Sequence, residues 1–556
     1  MSRILIATGG LITGKERSVF LAARKTWEQW RAADDAWLDL KVKLVMAEPV
    51  VASRLEALRH PEVRKALTPQ DDEPPSLTEV VLATLLHQEG LSYERMELDE
   101  IFSAPGEVER KLAATDCVFL SSTYLHDLSE VEPLLRRLKR PHNRIVMGGA
   151  LAGILHDRWQ GAPELDVLAV GYGERLAGPL ADWIRSGYRT LQPPEGGRLI
   201  CKGSTAFLYS GVPRDLSLDG LPTPDWSLAP GGPRRIYYES VRGCPYRCNF
   251  CNYPYLFDDT KFRTKSAERI AADWERYVDE LGVETITCLD SLFTMPKSRL
   301  RELCRLLIER RVKVKWICYA RADDLADEET VAVMKEAGAC QVQIGIESGD
   351  SRLLANMDKA CTVEANARAL RNCRRHGLTS VVSLIVGFPG ETAETLDRTY
   401  RFLAGTPPDF YFLATFSTRV AGVPLLRPEN RARFGLRVQD NLRSMAPYWE
   451  HDTMSCAEVG NHVRELDRRL MRGRVALNAA VFYPYLPAFQ PERRETLLDF
   501  QARAAGHSLL EKAFGIANRW VDRRLRRAVV AHLREMSPPP PGVIVAGDHL
   551  RERTST

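Results

Sequence analysis

The sequence contains neither a long apolar run nor an excess of charge of one sign. No segment approaches the roughly 18 consecutive apolar residues that a membrane-spanning helix needs. Its 77 basic and 73 acidic residues leave a net charge of +4 over 556 residues, so nothing calls for a nucleic acid or an anionic membrane as partner. The opening residues, MSRILIATGG, lack the basic and apolar regions of an export signal. We therefore expect a cytoplasmic protein that binds neither nucleic acid nor membrane.

Three of the twelve cysteines, Cys244, Cys248 and Cys251, stand close together in the segment GCPYRCNFCN. In a reducing compartment such a group indicates a metal site or catalysis rather than disulfides. A structural zinc site needs a fourth Cys or His; the adjoining NYPYLFDDTKF supplies none, although a distant residue could. An iron–sulfur cluster held by three cysteines leaves one iron open for another ligand. The tight spacing favours this cluster over zinc and over three unrelated buried thiols.

Apolar segments and helical patterns alternate ahead of the cysteines, which predicts an α/β region with a doubly wound parallel sheet over residues 1–190. Ligands of such sheets bind beyond the carboxyl ends of the strands. GxGxxG is absent after the first strand, so a dinucleotide is not the expected ligand. The loops at that edge carry small residues that would let a flat ligand approach the backbone, namely Ser121, Ser122, Thr123, Gly148, Gly149, Gly171 and Gly173.

Three further regions follow along the chain. Residues 191–235 are rich in Pro and Gly and are predicted to form a linker. Residues 236–430 show about six β/α units, which predict a partial (β/α)6 TIM-type barrel with its chemistry at the carboxyl ends of the strands. The cysteine loop follows the first of these strands. Residues 431–556 are predicted to form a mainly helical C-terminal domain.

The CxxxCxxC of CPYRCNFC, with an aromatic residue before the last cysteine, resembles the motif of the radical S-adenosylmethionine (SAM) superfamily. The resemblance implies that Cys244, Cys248 and Cys251 hold a [4Fe–4S] cluster and that SAM binds the open iron. It also implies an external electron donor of the flavodoxin or ferredoxin type.

Four later segments resemble the family's SAM and substrate site. QIGIESGD and LIVGFPGET resemble the strands that line the SAM site, CYARADDL brings an arginine towards SAM, and LDSLFT carries an aspartate towards the substrate. An internal ion pair between the aspartate and the arginine, and a plain turn at GFPG, are the alternatives. The residues concerned are Glu347, Ser348, Gly387, Pro389 and Gly390 for SAM, Arg321 for SAM and catalysis, and Asp290 for catalysis.

The series SSTY, VMGGA and VGYGE resembles the cobalamin-binding domain that precedes the core in cobalamin-dependent members of the family. None of the eleven histidines lies in a DxHxxG motif, so the resemblance implies cobalamin bound without that axial histidine. Residues 11–75 are predicted to form inserted helices. Of their arginines, Arg54, Arg59 and Arg64, we carry Arg64 as a candidate beneath cobalt, although solvated arginines are the simpler interpretation.

Two further groups are candidates for the chemistry. Glu268 stands in the first turn of the helix after the cysteines, where it would favour the helix dipole or, alternatively, approach the open iron and compete with SAM. Trp449, His451 and Asp452 are candidate substrate contacts, since a C-terminal domain of this family often closes over the substrate.

The resemblance implies an enzyme that moves a methyl group from SAM through methylcobalamin to a carbon of a small natural-product precursor. One family member, a tryptophan 2-methyltransferase of thiopeptide antibiotic biosynthesis, methylates an indole carbon without the adenosyl radical, and C2 of tryptophan is the preferred single substrate. Radical methylation of an sp³ carbon or a phosphinate, a cyclisation without methyl transfer, and a non-catalytic sensor are the alternatives, the sensor ranking last.

Overall fold

The computed structural model describes residues 3–11, 37–64, 67, 74–418, 423–444 and 446–533. The first helix predicted in the insertion, from residues 16–35, lies outside this range. None of the helices in the described part of the chain combines the length and the apolar composition that a membrane crossing requires.

The N-terminal region forms the predicted doubly wound sheet, in the strand order β2-β1-β3-β4-β5-β7-β6. Its strands are β1 (Ile4–Thr8), β2 (Tyr93–Glu97), β3 (Cys117–Ser121), β4 (Arg144–Gly148), β5 (Val167–Val170), β6 (Arg198–Lys202) and β7 (Thr205–Tyr209). Its helices, with those of the insertion, are α1 (Trp37–Glu56), α2 (Pro61–Arg64), α3 (Leu77–Gln88), α4 (Glu100–Ser103), α5 (Pro105–Ala113), α6 (Leu128–Leu138), α7 (Ala150–Leu155) and α8 (Gly173–Arg185). Every strand pair is parallel except β6 with β7.

The region predicted as a linker differs from that prediction in its first part. Residues 198–209 form the hairpin β6–β7, which extends the N-terminal sheet because β7 pairs with β5. Phe207 and Leu208 are fully buried by this pairing. The apolar residues of the hairpin thus belong to the first domain, and the Pro- and Gly-rich segments on either side concealed them.

The core forms the predicted partial barrel. Its parallel strands lie in the order β19-β15-β14-β13-β12-β11-β8, where β19 is Leu477–Asn478 of the C-terminal region. The other six strands of this sheet lie side by side in the order in which the chain forms them. The strands are β8 (Arg235–Tyr238), β11 (Thr285–Cys288), β12 (Lys315–Ala320), β13 (Ala339–Glu347), β14 (Thr379–Val386) and β15 (Phe410–Thr415), with the short pair β9 (Val241–Arg242) and β10 (Arg263–Thr264) beside the cysteines. The helices are α9 (Ala267–Leu281), α10 (Lys297–Glu309), α11 (Ala322–Leu325), α12 (Glu328–Glu336), α13 (Ser351–Asn356), α14 (Val363–Arg375) and α15 (Ala393–Gly405).

Helix α9 shows why the sequence folds this way locally. It begins after Ser266, whose side chain accepts a hydrogen bond from the Arg269 amide and so satisfies one of the free amides of the first turn. Ile270, Trp274 and Tyr277 follow at helical spacing and are fully buried against the sheet. This packing fixes the position at which the segment after the cysteine loop ends and α9 begins.

The C-terminal region is mainly helical, as predicted, with a small three-stranded antiparallel sheet, β16-β17-β18. Its elements are α16 (Pro428–Arg433), β16 (Arg437–Val438), β17 (Trp449–His451), β18 (Met454–Ser455), α17 (Cys456–Arg472), β19 (Leu477–Asn478), α18 (Arg494–Ala504) and α19 (Ser508–Leu533). Helix α1 of the insertion packs against α17, α18 and α19. The buried Lys41 ties it there, since its Nζ lies 2.7 Å from a carboxylate oxygen of Asp522.

Candidate functional site

The three cysteines lie in a loop between β9 and a short 3-10 helix, Tyr253–Tyr255. All three are free thiols, buried or half-buried. Burial raises the pKa of each thiol, that of Cys251 to about 11. Asn249 anchors the loop to the end of α13, because its amide donates to the Met357 carbonyl and its side chain to the Asn356 carbonyl, each at 2.8 Å.

The donor set of this loop fits an iron–sulfur cluster better than zinc. In the described ranges no group of three or more His, Cys, Asp or Glu side chains is arranged to hold one metal ion. The thiols nevertheless lie close enough that Cys244 and Cys248 affect the pKa of Cys251. A four-iron cluster is larger than a single ion, so its cysteine sulfurs stand further apart than the ligands of zinc.

A buried ion pair lies beside the cysteine loop. Glu347 ends β13 with a φ of 63°, and its carboxylate accepts a hydrogen bond from Lys359 Nζ at 2.9 Å. Both side chains are less than a tenth exposed. Gly345 makes room for them, because a Cβ there would stand 2.5 Å from Glu347 Oε1 and 2.9 Å from Lys359 Nζ. The lysine ammonium lies 5.8 Å from the centre of the ring of Phe250, which is a residue of the cysteine loop.

Arg321 joins the same cluster of charges from the end of β12. Its guanidinium carbon lies 3.7 Å from the centre of the Tyr246 ring, between two of the cysteines in sequence. It donates to the carbonyls of Lys359 and Ala360 at 2.6 and 2.9 Å and pairs with Asp323. The structure therefore brings Glu347 and Arg321 together at the cysteine loop, and their contact with SAM stays a prediction.

Asp290 is buried beside the turn that precedes the cysteine loop. It is 1% exposed, and it accepts hydrogen bonds from the amides of Ser240 and Val241 and from the Ser240 hydroxyl. Burial raises its pKa to about 6, against the positive charge of Arg299. Its carboxylate thus holds the turn before the cysteine loop, and Arg321 pairs with Asp323.

The other predicted SAM residues are engaged inside the protein. Ser348 Oγ accepts from the Asp350 amide and pairs with the Thr399 hydroxyl at 3.2 Å. The Gly387 amide donates to the carboxylate of Glu391, whose pKa burial raises to about 8. The Pro389 carbonyl accepts from Asn356, and the Gly390 amide donates to Thr453.

The predicted substrate contacts of the C-terminal region pack against the GFPG turn, and their contact with a substrate stays a prediction. The His451 ring nitrogen lies 3.0 Å from the Gly387 carbonyl and the ring stacks on Trp449, with centroids 5.3 Å apart. Trp449 is fully buried, and burial lowers the pKa of His451. Only Asp452 is exposed, next to Gly435. These aromatic residues reach the GFPG turn because β17 folds back on it.

The small-residue loops of the N-terminal sheet form a closely bonded edge. The Ser122 amide and hydroxyl both donate to the Gly148 carbonyl at 2.7 Å, and the Ser121 and Thr123 hydroxyls lie 3.2 Å apart. Gly149 has a φ of 101°, and a Cβ there would stand 2.7 Å from the Thr123 hydroxyl. The glycine is therefore required by this close approach of two loops.

The third loop faces the segment that follows the cysteine loop. A Cβ on Gly171, which has a φ of 99°, would stand 2.4 Å from Ser210 Oγ and 3.4 Å from the Phe257 carbonyl, whereas one on Gly173 would meet nothing within 4 Å. The Tyr172 hydroxyl donates to Asp259 at 2.9 Å. The binding edge predicted for the first domain thus adjoins the segment after the cysteine loop of the second.

A second buried ion pair locks this junction. Arg242, two residues before Cys244, donates to both carboxylate oxygens of Glu174 at 2.6 and 3.0 Å. Both side chains are 8% exposed. Burial alone would raise the pKa of Glu174, and the guanidinium holds it below its ordinary value. The Arg242 guanidinium also covers the rings of Tyr172 and Phe257, each at 5.1 Å.

Glu268 and Arg64 are both exposed. Glu268 lies in the first turn of α9, where its carboxylate favours the helix dipole. Arg64 ends the short helix α2, whose Val63 packs with β14, β15 and α18 rather than with the loops of the N-terminal sheet. Arg54 and Arg59 are exposed as well. The iron role of Glu268 and the cobalt role of Arg64 stay predictions.

Sequence reasoning missed several residues of this site. Two of them, Tyr246 and Asn249, belong to the cysteine loop itself. Arg242 stands just before the loop, and Lys359 lies against it. The Tyr255 hydroxyl is a buried polar atom without a hydrogen-bond partner in the described structure, four residues after the last cysteine. For Lys359 no local signal exists, because its partner lies twelve residues away. Proximity to CxxxCxxC was the one available signal for the others.

Comparison with known proteins places the motif in a family domain. Residues 238–403 match the model of the Radical SAM superfamily. An uncharacterised methyltransferase of Pyrococcus horikoshii is 28% identical over 291 residues, 50% of this chain and 62% of that protein. An anaerobic magnesium-protoporphyrin IX monomethyl ester cyclase of Cereibacter sphaeroides is 25% identical over 332 residues, 57% of this chain and 52% of that protein. The chain thus spans less than two thirds of the length of either relative.

Solved structures match over more of the chain. TsrM of Kitasatospora setae, a radical S-adenosylmethionine methyltransferase with cobalamin and a [4Fe–4S] cluster bound, has a TM-score of 0.54 at 15% identity, over 95% of this chain and all of that one. OxsB, a cobalamin-dependent S-adenosylmethionine radical enzyme, has a TM-score of 0.55 at 16% identity, over 83% of this chain and 73% of that one. At such identities the likeness concerns the fold. Residues 238–403 therefore match the Radical SAM superfamily model, within a chain whose fold resembles those of TsrM and OxsB.

Proposed function

We propose that the protein is a cobalamin-dependent radical SAM methyltransferase, which holds a [4Fe–4S] cluster, SAM and cobalamin in one chain. The observation that carries the proposal is the junction of the two predicted binding regions. The edge of the N-terminal sheet meets the segment after the cysteines at Gly171 and Phe257, and Tyr172 bonds to Asp259 across it. A group lying on that edge would face a group held by the cysteines.

The residues of the core have separable roles in this proposal. Cys244, Cys248 and Cys251 hold the cluster, and the anchored Asn249 fixes their loop. Glu347 and Arg321 stand beside that loop, where a carboxylate and a guanidinium would orient the amino and carboxylate groups of SAM. Together the cofactors supply a methyl donor, a methyl carrier and an electron source. The protein contributes binding, orientation and charge.

The N-terminal sheet supplies the proposed cobalamin site. Loops with little side-chain bulk line its edge, and open space surrounds the Cβ position of Gly173. No DxHxxG histidine is present in the sequence, so cobalamin would bind here without a ligand from that motif. Further proposed contacts are Ser121, Ser122, Thr123, Gly148, Gly149 and Gly171, with Arg64 at the lower face.

For the substrate we propose a small molecule, with C2 of tryptophan as the preferred single candidate and antibiotic biosynthesis as its setting. TsrM, which shares the fold, has been solved with tryptophan substrate bound. A second candidate rests on a different relative: the cytidylyl-2-hydroxyethylphosphonate methyltransferase of Streptomyces wedmorensis is 27% identical over 56% of this chain and 66% of that protein. An sp³ carbon of a phosphonate is therefore the alternative target. The likeness to the cyclase supports a third candidate, a reaction without methyl transfer.

The test is anaerobic turnover of the reconstituted protein with SAM, cobalamin and a reductant, offered tryptophan and, separately, a crude metabolite pool. An electron donor of the flavodoxin or ferredoxin type is the proposed cellular reductant. S-adenosylhomocysteine and 5′-deoxyadenosine are quantified separately. Methylated tryptophan with S-adenosylhomocysteine alone supports polar transfer to the indole, whereas equal amounts of both products with another methylated compound support a radical at an sp³ carbon. Neither product, with cluster and cobalamin bound, would refute the methyltransferase.

A further inference from the structure

Lys359 stands out among the buried cations because its surroundings are built around it. The flanking residues Asp358 and Ala360 both adopt left-handed backbone conformations, with φ of 49° and 50°. Such conformations are unfavourable for residues with a side chain and persist only where the surrounding structure imposes them. Here Arg321 bonds to the carbonyls of Lys359 and Ala360, and Asn249 bonds to the segment just before them. The segment is thus clamped to the cysteine loop.

The position of the ammonium group indicates what the clamp achieves. Lys359 Nζ bonds to Glu347, faces the Phe250 ring of the cysteine loop and is 7% exposed as a residue. Arg321, which donates to the Lys359 carbonyl, lies 3.7 Å from the centre of the Tyr246 ring in the same loop. A positive charge withdrawn from water acts on its neighbours through a low effective dielectric constant. Its largest charged neighbour in the loaded protein would be the cluster.

We propose that Lys359 is a positioning residue that sets the reduction potential of the cluster by placing one buried positive charge beside the cysteine loop. Three thiolates and a [4Fe–4S] core carry net negative charge, which grows by one when the core accepts an electron. A nearby cation stabilises the reduced form more than the oxidised form, so it makes reduction easier. The inference rests on the proposed function only in requiring that the cysteines hold a cluster.

The experiment measures the reduced fraction of the cluster during a dithionite titration, followed by electron paramagnetic resonance, with neither SAM nor cobalamin added. Lys359→Met removes the charge and keeps the length of the side chain, whereas Lys359→Arg keeps the charge. We expect the ratio of reduced to oxidised cluster at a given potential to fall about tenfold in Lys359→Met, which corresponds to about 59 mV for a one-electron couple. Lys359→Arg should stay near the wild type. Lys313→Met, an exposed lysine before β12, is the matched control and should change nothing.

Variants of Glu347, the partner of Lys359, distinguish the effect of the lost charge from the effect of a damaged fold. Glu347→Gln should shift the ratio in the opposite direction, because it removes a negative charge from the same place. Adding Lys359→Met to Glu347→Gln leaves no unpaired buried charge, so the measurement survives if the single lysine variant fails to fold. The double variant should again show a ratio about tenfold below that of Glu347→Gln.

Three results would overturn the inference. They are equal potentials in Glu347→Gln with and without the lysine, shifts of the same sign in both single variants, and a large shift in Lys359→Arg. A wild-type protein that holds no iron would overturn the proposed function as well. A cluster with unchanged potentials would overturn the role of Lys359 alone.

Discussion

Breaking the ion pair between Arg242 and Glu174 should destabilise the junction of the two domains strongly. Arg242→Met would leave the Glu174 carboxylate buried without its two hydrogen bonds, at a position where the side chain is 8% exposed. Removing one partner of a buried pair costs about 3–5 kcal/mol. With a urea dependence of about 3 kcal/mol per molar, the unfolding midpoint of the affected region should fall by about 1 M or more.

The assay is urea unfolding followed by tryptophan fluorescence, with Arg214→Met as the matched control. Arg214 pairs with Glu195, but both side chains are more than four-fifths exposed, so its loss should leave the midpoint unchanged. The double variant Arg242→Met with Glu174→Gln removes both charges and should regain part of the loss. If Arg242→Met shifted the midpoint no more than Arg214→Met, the pair would not hold the junction and the reasoning would be refuted.

Two further variants test the loops that line the site. Burial raises the pKa of Glu391 to about 8, so the folded protein keeps a proton that the unfolded chain releases near its ordinary pKa of 4.5. The wild type should therefore lose stability relative to Glu391→Gln as the pH rises from about 4.5 to 8. Unfolding midpoints of the two proteins that stay parallel across that range would contradict this. Gly149→Ala would place a Cβ 2.7 Å from the Thr123 hydroxyl at a φ of 101°, so it should weaken cobalamin binding at least tenfold in an equilibrium titration, whereas Gly178→Ala, with no neighbour closer than 3.7 Å, should bind normally.

The order of strands and helices was predictable because each element carries its own signal. The alternation of apolar segments with helical patterns sufficed for two parallel sheets, and the cysteine spacing located the loop after β8. The glycines at the sheet edge were also found, since Gly149 and Gly171 take backbone conformations that other residues rarely adopt. Such requirements are local, so a single sequence displays them.

What the sequence did not reveal depends on pairs that are distant along the chain. Lys359 has its role only because Glu347 and the cysteine loop fold against it. Asp290 was predicted from its place after the second strand of the core, whereas its bonds to the turn at Ser240, fifty residues earlier, had no signal in the sequence. Helix α1 was predicted only as part of an inserted helical region, and its attachment to the C-terminal helices depends on the buried Lys41, whose partner Asp522 lies far along the chain. No periodicity or spacing encodes these contacts.

The central claim is that one chain holds both an iron–sulfur cluster and cobalamin, and the most direct test is the metal content of the protein reconstituted without oxygen. Iron, zinc and cobalt are counted per chain in the wild type and in a variant with Cys244, Cys248 and Cys251 all changed to Ala. The account predicts about four irons and one cobalt in the wild type, and loss of the iron with the cobalt retained in the variant. One zinc per chain, or iron that persists without the three cysteines, would contradict it.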